Sequence, residues 1–313
     1  MINLNFCSVL NKKSGEPLAG SAPFAKYFVF ISWPKKFWQF EALEAKGGFP
    51  KGLKTWMKEN SKVFGKISIR LANRRGLNNE EVEIFIYPSK YHYTKIKPNK
   101  ILEVLDSHFQ QETTNQNFVK QIKNDQIFIC THGRHDKCCA KFGQKLADKM
   151  RLHVFKKKLP VEIWESSHIG GHRFAATLID FPSGYSYGRL TPEEIPNFFE
   201  YRKKGKLYAS AYRGSVFLTE LEKVAEAHVQ HYCSEQNFSS KLTIQNIQKI
   251  SEKKFTCDVL INPSNGLIDP KVASQKELSF SFFLKNFKTP SGCDSLEESE
   301  LRKCWKMESP ISE

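Results

Sequence analysis

The sequence predicts an α/β fold: two α/β blocks followed by a β-rich extension. Three observations lead there. Apolar runs of strand length alternate with amphipathic helical stretches as far as about residue 235. None of those runs approaches the roughly 20 apolar residues that span a bilayer. Beyond Ser239 the pattern changes to apolar residues at every second position. A chain of 313 residues suits two ordinary domains and a smaller piece. The expected division is 1–115, 116–238 and 239–313.

In the first block, residues 1–25 read as irregular, with a turn signal at Ser14-Gly15-Glu16-Pro17. Tyr27 to Ser32 is a buried-strand run that stops at Trp33-Pro34, because proline restricts its predecessor and cannot donate to a ladder. Helical pieces over 37–60 are broken at Gly47-Gly48-Phe49-Pro50. Strands follow at Lys66–Leu71 and Val82–Ile86. A helix from about Lys100 to Gln111 puts Ile101, Leu102, Leu105 and Phe109 on one face. The order is βαββα.

The second block has one strand more. Ile127-Phe128-Ile129 leads to Cys130, and a polar loop, Thr131–Lys137, enters a helix from about Cys139 to Leu152. Val161–Trp164 is the next strand. A hairpin joins Ala175–Phe181 to Tyr185–Leu190 across Pro182-Ser183-Gly184. Thr191-Pro192-Glu193-Glu194 carries a capping box, with proline at the first helical position. Residues 215–234 form a further amphipathic helix. This order fits a thioredoxin-like unit, of which the first block is a version one strand short. In the extension, Phe255, Cys257, Val259 and Ile261 alternate, as do Leu278, Phe280, Phe282 and Leu284. Its end, 291–313, reads as polar and loose.

With 40% hydrophobic residues, 26% charged and 25 Phe, the chain can bury a large aromatic core and is not of disordered composition. Its first six residues lack the basic and apolar regions of a secretory signal, so the expected compartment is the cytoplasm. Eight cysteines are too few for a disulfide scaffold, leaving metal ligands, redox chemistry or buried thiols. Lys plus Arg is 48 against 33 Asp plus Glu, a net charge of +15. The basic residues are spread along the chain without a nucleic-acid motif. They read as a solvated surface able to dock an acidic redox partner rather than as a nucleic-acid site.

Two segments carry chemistry: Cys130 to Cys139, and His168-Ile-Gly-Gly-His172. The first sets one thiol at a strand end and others at a helix start, where the helix dipole favours thiolate. The second follows a strand directly, and its glycines let backbone approach a bound group. Two thiolates and two imidazoles at one sheet edge suit a metal. A zinc finger is disfavoured by spacing, since a helix and a strand separate Cys139 from His168. Single zinc and an iron–sulfur cluster with mixed ligands both fit the donors. Either Cys138 or Cys139 can be the ligand. His132 and His135 read as solvated or supporting residues, and Arg134 and Arg173 as offsets to site charge or surface ion pairs. Cys7, Cys233 and Cys257 read as buried thiols, and Cys293 and Cys304 as exposed free thiols rather than a second redox pair.

The chain resembles the sucrase/ferredoxin-like family of thioredoxin-like 2Fe–2S ferredoxins over about residues 5–235. The resemblance rests on Cys7, Glu16–Ala22, Cys130–Cys139, Ser167–Ala175, Tyr187-Gly188-Arg189 and Tyr212-Arg213-Gly214. It implies a 2Fe–2S cluster held by Cys130, Cys139, His168 and His172, with Cys139 rather than Cys138 as the second thiolate. It implies electron transfer to or from a redox partner protein, by an electron carrier rather than a stand-alone enzyme. The free imidazole nitrogens can titrate, which would couple protons to electrons. Two rivals remain: a thiol oxidoreductase using Cys130 with Cys139, and a zinc-stabilised binding protein. No paired carboxylates suited to glycoside chemistry are visible.

Overall fold

The computed structural model describes residues 6–110, 119–235, 240–263 and 276–308. It opens with a helix where irregular chain is expected. Helix α1 spans Cys7–Ser14 and ends on Gly15 in the left-handed region, whose N–H bonds the Lys12 carbonyl. That is the usual glycine stop for a helix. Strand β1 (Tyr27–Ser32) is buried over all but its first residue. Helix α2 (Leu53–Phe64) then leads to β2 (Ile67–Asn73), parallel to β1. On the other side of β1, β3 (Val82–Tyr87) runs antiparallel, and β4 (Tyr91–Ile96) pairs antiparallel with β3. Helix α3 (Ile101–Phe109) follows, then the short strand β5 (Val119–Gln121). The first block is therefore not one strand short. Strand β4 escapes the sequence pattern because it is half-exposed and aromatic-polar, YHYTKI, without a clean apolar alternation.

The second block repeats this layout. Strand β6 (Asp125–Cys130) passes through five residues of π-helix, Cys139–Gly143, into α4 (Gln144–Lys157), and β7 (Val161–Ser166) runs parallel to β6. Strand β8 (Leu178–Phe181) pairs antiparallel with β6, and β9 (Tyr185–Tyr187) pairs antiparallel with β8. Helix α5 (Ile195–Lys203), strand β10 (Tyr212–Ser215) and helix α6 (Glu220–Glu235) complete it. The Thr191–Glu194 capping box forms as the sequence predicts.

Strand orders β4-β3-β1-β2 and β9-β8-β6-β7 are the same, and both belong to one ten-stranded sheet. The halves join at β2 and β7 through only two residue pairs, Ala72 with Ser166 and Asn73 with Glu165. So short a junction leaves the half-sheets free to fold on each other. Their inner faces meet in an aromatic core of Phe28, Phe30, Phe85 and Tyr87 against Phe128, Trp164 and Phe181. Phe30 stacks on Phe128 with centroids 3.6 Å apart. The outer faces carry separate cores under α2 and α3 and under α4 and α5.

The extension forms a second, antiparallel sheet, β11 (Ser240–Ser251), β12 (Lys254–Pro263), β13 (Lys276–Pro290) and β14 (Ser299–Met307). Phe255, Cys257, Val259, Ile261, Phe280 and Phe282 pack it on Val224, Ala225, Val229 and Cys233 of α6. The expected loose end at 291–313 contains β14, whose polar residues pair in register with β13. Residues 309–313 lie outside the described residues.

Candidate metal centre

Cys130 ends β6, and Cys139 opens the π-helical turn that starts α4. The two are brought together by Gly143: a Cβ there would sit 1.9 Å from the Cys130 carbonyl oxygen, so only glycine lets the helix approach the strand end. His168 follows β7. Its loop is held by the first block, since the Leu71 N–H donates to Ser167 Oγ (2.9 Å) and the Ser167 N–H donates to the Leu71 carbonyl (2.8 Å). His168 Nδ1 lies 3.8 Å from both Cys130 Sγ and Cys139 Sγ. These three donors lie within 4.8 Å of one another, and so do those of His135, His168 and His172. The arrangement is elongated, with the cysteines at one end, His172 at the other and His168 between.

Gly171, at φ +81°, makes the turn to His172 and packs against Arg213, whose Nη2 a Cβ would meet at 2.5 Å. Arg213 is buried; it donates to the Gly170 carbonyl (3.2 Å), Ser21 Oγ (3.0 Å) and the Ser21 carbonyl. Arg173 pairs with the buried Glu16 carboxylate (2.8 Å), and Arg189 donates to the Glu16 carbonyl (2.9 Å). All three guanidinium groups lie 4.4–5.2 Å from the Phe174 ring. The scattered motifs Glu16–Ala22, Tyr187–Arg189 and Tyr212–Gly214 are thus one scaffold behind the His168–His172 loop. Arg173 belongs to a buried ion pair, while Arg134 is exposed and reaches Gln39.

Burial alone would raise the Cys130 thiol, but hydrogen bonds with Cys139 and His168 outweigh it and hold Cys130 well below its ordinary value. Cys139 is pushed up by its bond with Cys130 and by burial. The pair therefore favours a thiolate at Cys130, the form that binds metal. His172 Nε2 lies 2.8 Å from the Ser291 carbonyl. A carbonyl only accepts, so Nε2 carries a proton, and in the neutral ring that leaves the lone pair on Nδ1. That Nδ1 is buried without a hydrogen-bond partner. An imidazole nitrogen oriented from behind and empty in front is what a metal ligand needs, so the donor set fits a metal or cluster.

Three residues of the site had no clear signal in the sequence. His135 is half-buried and stacks on His168 at 3.7 Å, and burial lowers its pKa to about 4. It was visible only as one more histidine in a polar loop. Ser291 acts through its backbone, which no side-chain motif reveals. Cys293 is buried rather than exposed, because β13 carries it to Cys7 and Cys138. Cys304 is not its partner; it lies half-buried, 3.4 Å from Glu16.

The repeated strand order and the convergence of two thiols and two imidazoles at the ends of β6 and β7 define a thioredoxin-like protein with a candidate metal centre. The chain belongs to the sucrase/ferredoxin-like family, whose sequence profile matches residues 18–214. Two similar yeast proteins are both called altered inheritance of mitochondria protein 32. The one from Debaryomyces hansenii is 32% identical over 31% of this chain, and the one from Clavispora lusitaniae is 31% identical over 34%. The chain covers only 38% of the length of each. A solved thioredoxin-like [2Fe–2S] ferredoxin from Aquifex aeolicus aligns over 29% of this chain and 91% of its own, at 15% identity and a TM-score of 0.27. That likeness is too slight to speak for function. Among the described residues, no helix is long and apolar enough to cross a membrane.

Proposed function

We propose that the protein transfers electrons through a 2Fe–2S cluster held by Cys130, Cys139, His168 and His172. The observation that carries this reading is the buried, unpartnered Nδ1 of His172, whose ring is fixed by the Ser291 carbonyl and which lies beside His168, itself 3.8 Å from both cysteine sulfurs. When bound, such a cluster would take up and release one electron. The residues supply the rest. Cys130 and Cys139 offer thiolates at one end, and the neutral imidazoles at the other add no negative charge, which raises the potential above that of an all-cysteine site. Both cysteines are only 1% exposed. That burial shields a cofactor but denies a disulfide substrate the access that thiol exchange requires, which argues against the oxidoreductase.

The protein acts as a carrier in the cytoplasm, docking an acidic donor or acceptor on its basic surface; the mitochondrial wording in the names of its yeast relatives makes a role near that organelle part of the same reading. A single zinc ion is the second reading, favoured by the 3.8 Å Sγ–Nδ1 separations. They match donors around one ion, whereas the two ends of a binuclear cluster stand further apart. Anaerobic purification with iron, sulfide and zinc analysis and a visible spectrum decides between them. The expected outcome is about two irons and two sulfides per chain, with colour that bleaches on reduction. A colourless protein holding zinc at Cys130 and Cys139, even after cluster reconstitution, overturns it.

A further inference from the structure

We propose that Cys7, Asp136, Cys138 and Cys293 form a second metal centre, distinct from the first, which binds one zinc ion and staples three remote parts of the chain together. All four residues are buried, and their donor atoms lie within 4.8 Å of one another. Cys7 opens α1, Asp136 and Cys138 lie in the loop between β6 and α4, and Cys293 follows β13. Cys7 and Cys293 both fall outside residues 18–214, so the centre draws on segments that flank the family region.

The sulfur atoms form a triangle with sides of 3.4 Å (Cys7–Cys138), 3.1 Å (Cys138–Cys293) and 3.6 Å (Cys293–Cys7). These are well beyond the roughly 2.05 Å of a disulfide. The circle through all three has a radius of about 2 Å, so one ion lying just off their plane reaches each at the roughly 2.3 Å of a zinc–thiolate bond. Asp136 stands beside the triangle, with both carboxylate oxygens 3.9 Å from Cys7 Sγ. It supplies the fourth donor of a tetrahedron.

Two further observations point to a bound cation rather than three idle thiols. First, Asp136 accepts the N–H groups of Cys138 (2.7 Å) and Cys293 (3.0 Å), yet among the described residues no lysine or arginine pairs with it. A buried carboxylate among sulfurs with no lysine or arginine in contact is costly to bury unless a cation is bound. Second, the sulfurs accept backbone N–H groups: Ser8 donates to Cys138 Sγ (3.4 Å) and Cys7 to Cys293 Sγ (3.5 Å). Both donors belong to the first turn of α1, where the helix dipole favours thiolate. Three thiolates and one carboxylate in a closed, tetrahedral pocket select zinc among divalent metals by softness and geometry.

The test is metal analysis of the full chain purified with reductant from zinc-supplemented cells, with iron measured separately. About one zinc per chain is expected. It should be lost in Cys7→Ser and Cys293→Ser, kept in Asp136→Cys, which retains a donor, and kept in Cys130→Ser, which damages only the first centre. Cobalt added to the zinc-stripped native chain should give thiolate charge-transfer absorption and the ligand-field bands of a tetrahedral site. That measurement needs no variant to fold. Absence of zinc and of the cobalt spectrum in the native chain overturns the proposal. So does zinc that is lost with Cys130→Ser but kept with Cys293→Ser, or a Cys138–Cys293 disulfide found by peptide mapping of the metal-free protein. Because iron is counted independently, failure of the cluster reading and failure of this one are separable.

Discussion

Cys138 and Cys139 are neighbours in sequence and belong to different pockets: Cys139 faces Cys130 and His168, while Cys138 faces Cys7 and Cys293. Successive residues on a helical turn point in diverging directions, so one vicinal pair can serve two centres. Cys139→Ser should therefore cost most of the iron, and Cys138→Ser should leave iron largely intact while zinc is lost, as metal analysis of both variants will show. The opposite pattern would reverse the ligand assignment. Gly143 is the second deciding residue. Its missing Cβ lets α4 touch the Cys130 carbonyl, and a 1.9 Å approach cannot be absorbed by a side-chain movement because the obstacle is backbone. Gly143→Ala should destabilise the protein by about 2 kcal/mol, an overpacking cost. It should also lower the iron content, since it separates Cys130 from Cys139. Denaturant unfolding that matches the parent would show that the helix approaches less closely than this. Neither the divergence of the two cysteines nor the role of Gly143 can be read from residue types. Both depend on where a turn of helix begins.

At the scale of elements, two carboxylates tie distant segments to the sheet. Glu16, fully buried, pairs with Arg173 from the His168–His172 loop. Glu16→Ala would leave a guanidinium without its partner and should cost about 3 kcal/mol, the usual penalty for breaking a buried pair. A urea midpoint unchanged from the parent would contradict this. Glu226 on α6 accepts the Tyr212 hydroxyl of β10 at 2.9 Å, and burial raises its pKa from 4.5 to about 8. Between those values the folded state holds a proton that the unfolded state has released. By linkage, this contribution to stability is fully present below pH 4.5 and is lost as pH rises to about 8. Glu226→Gln should flatten that slope. A parent whose unfolding free energy does not fall across this window, measured against the variant, would place the proton elsewhere. The helices themselves were legible as amphipathic runs, and the Thr191 capping box as a local motif. The α1 helix and strand β4 were not, because a short polar helix and a half-exposed strand bury too little to impose a period.

Over the whole molecule, the C-terminal sheet is a component of the site rather than an appendage. It covers the apolar face of α6 and returns Ser291 to His172 and Cys293 to Cys7 and Cys138. A chain ending at Glu235 should expose Val224, Val229 and Cys233, bind an apolar dye such as ANS, and melt at a lower temperature. It should also lose zinc. A truncated chain that keeps its metals and its melting temperature would make the extension an independent module. The first block has a comparable part: it forms half of the aromatic core and holds the Ser167 backbone through Leu71.

From the sequence alone came the α/β class, the thioredoxin-like order of the second block, the β-rich extension and the two segments that carry the candidate ligands, while the choice of Cys139 over Cys138 came from the family resemblance. Periodicity and donor type report what a residue does locally, and those features are local. The tertiary structure alone decided the rest: the matching strand order of the first block, the folding of two half-sheets on each other, the carbonyl behind His172 and the meeting of Cys7, Asp136, Cys138 and Cys293. Those last four are brought together across as many as 286 positions of chain. Contacts of that range are selected by the packing of whole sheets, which leaves no period or spacing in the sequence to read.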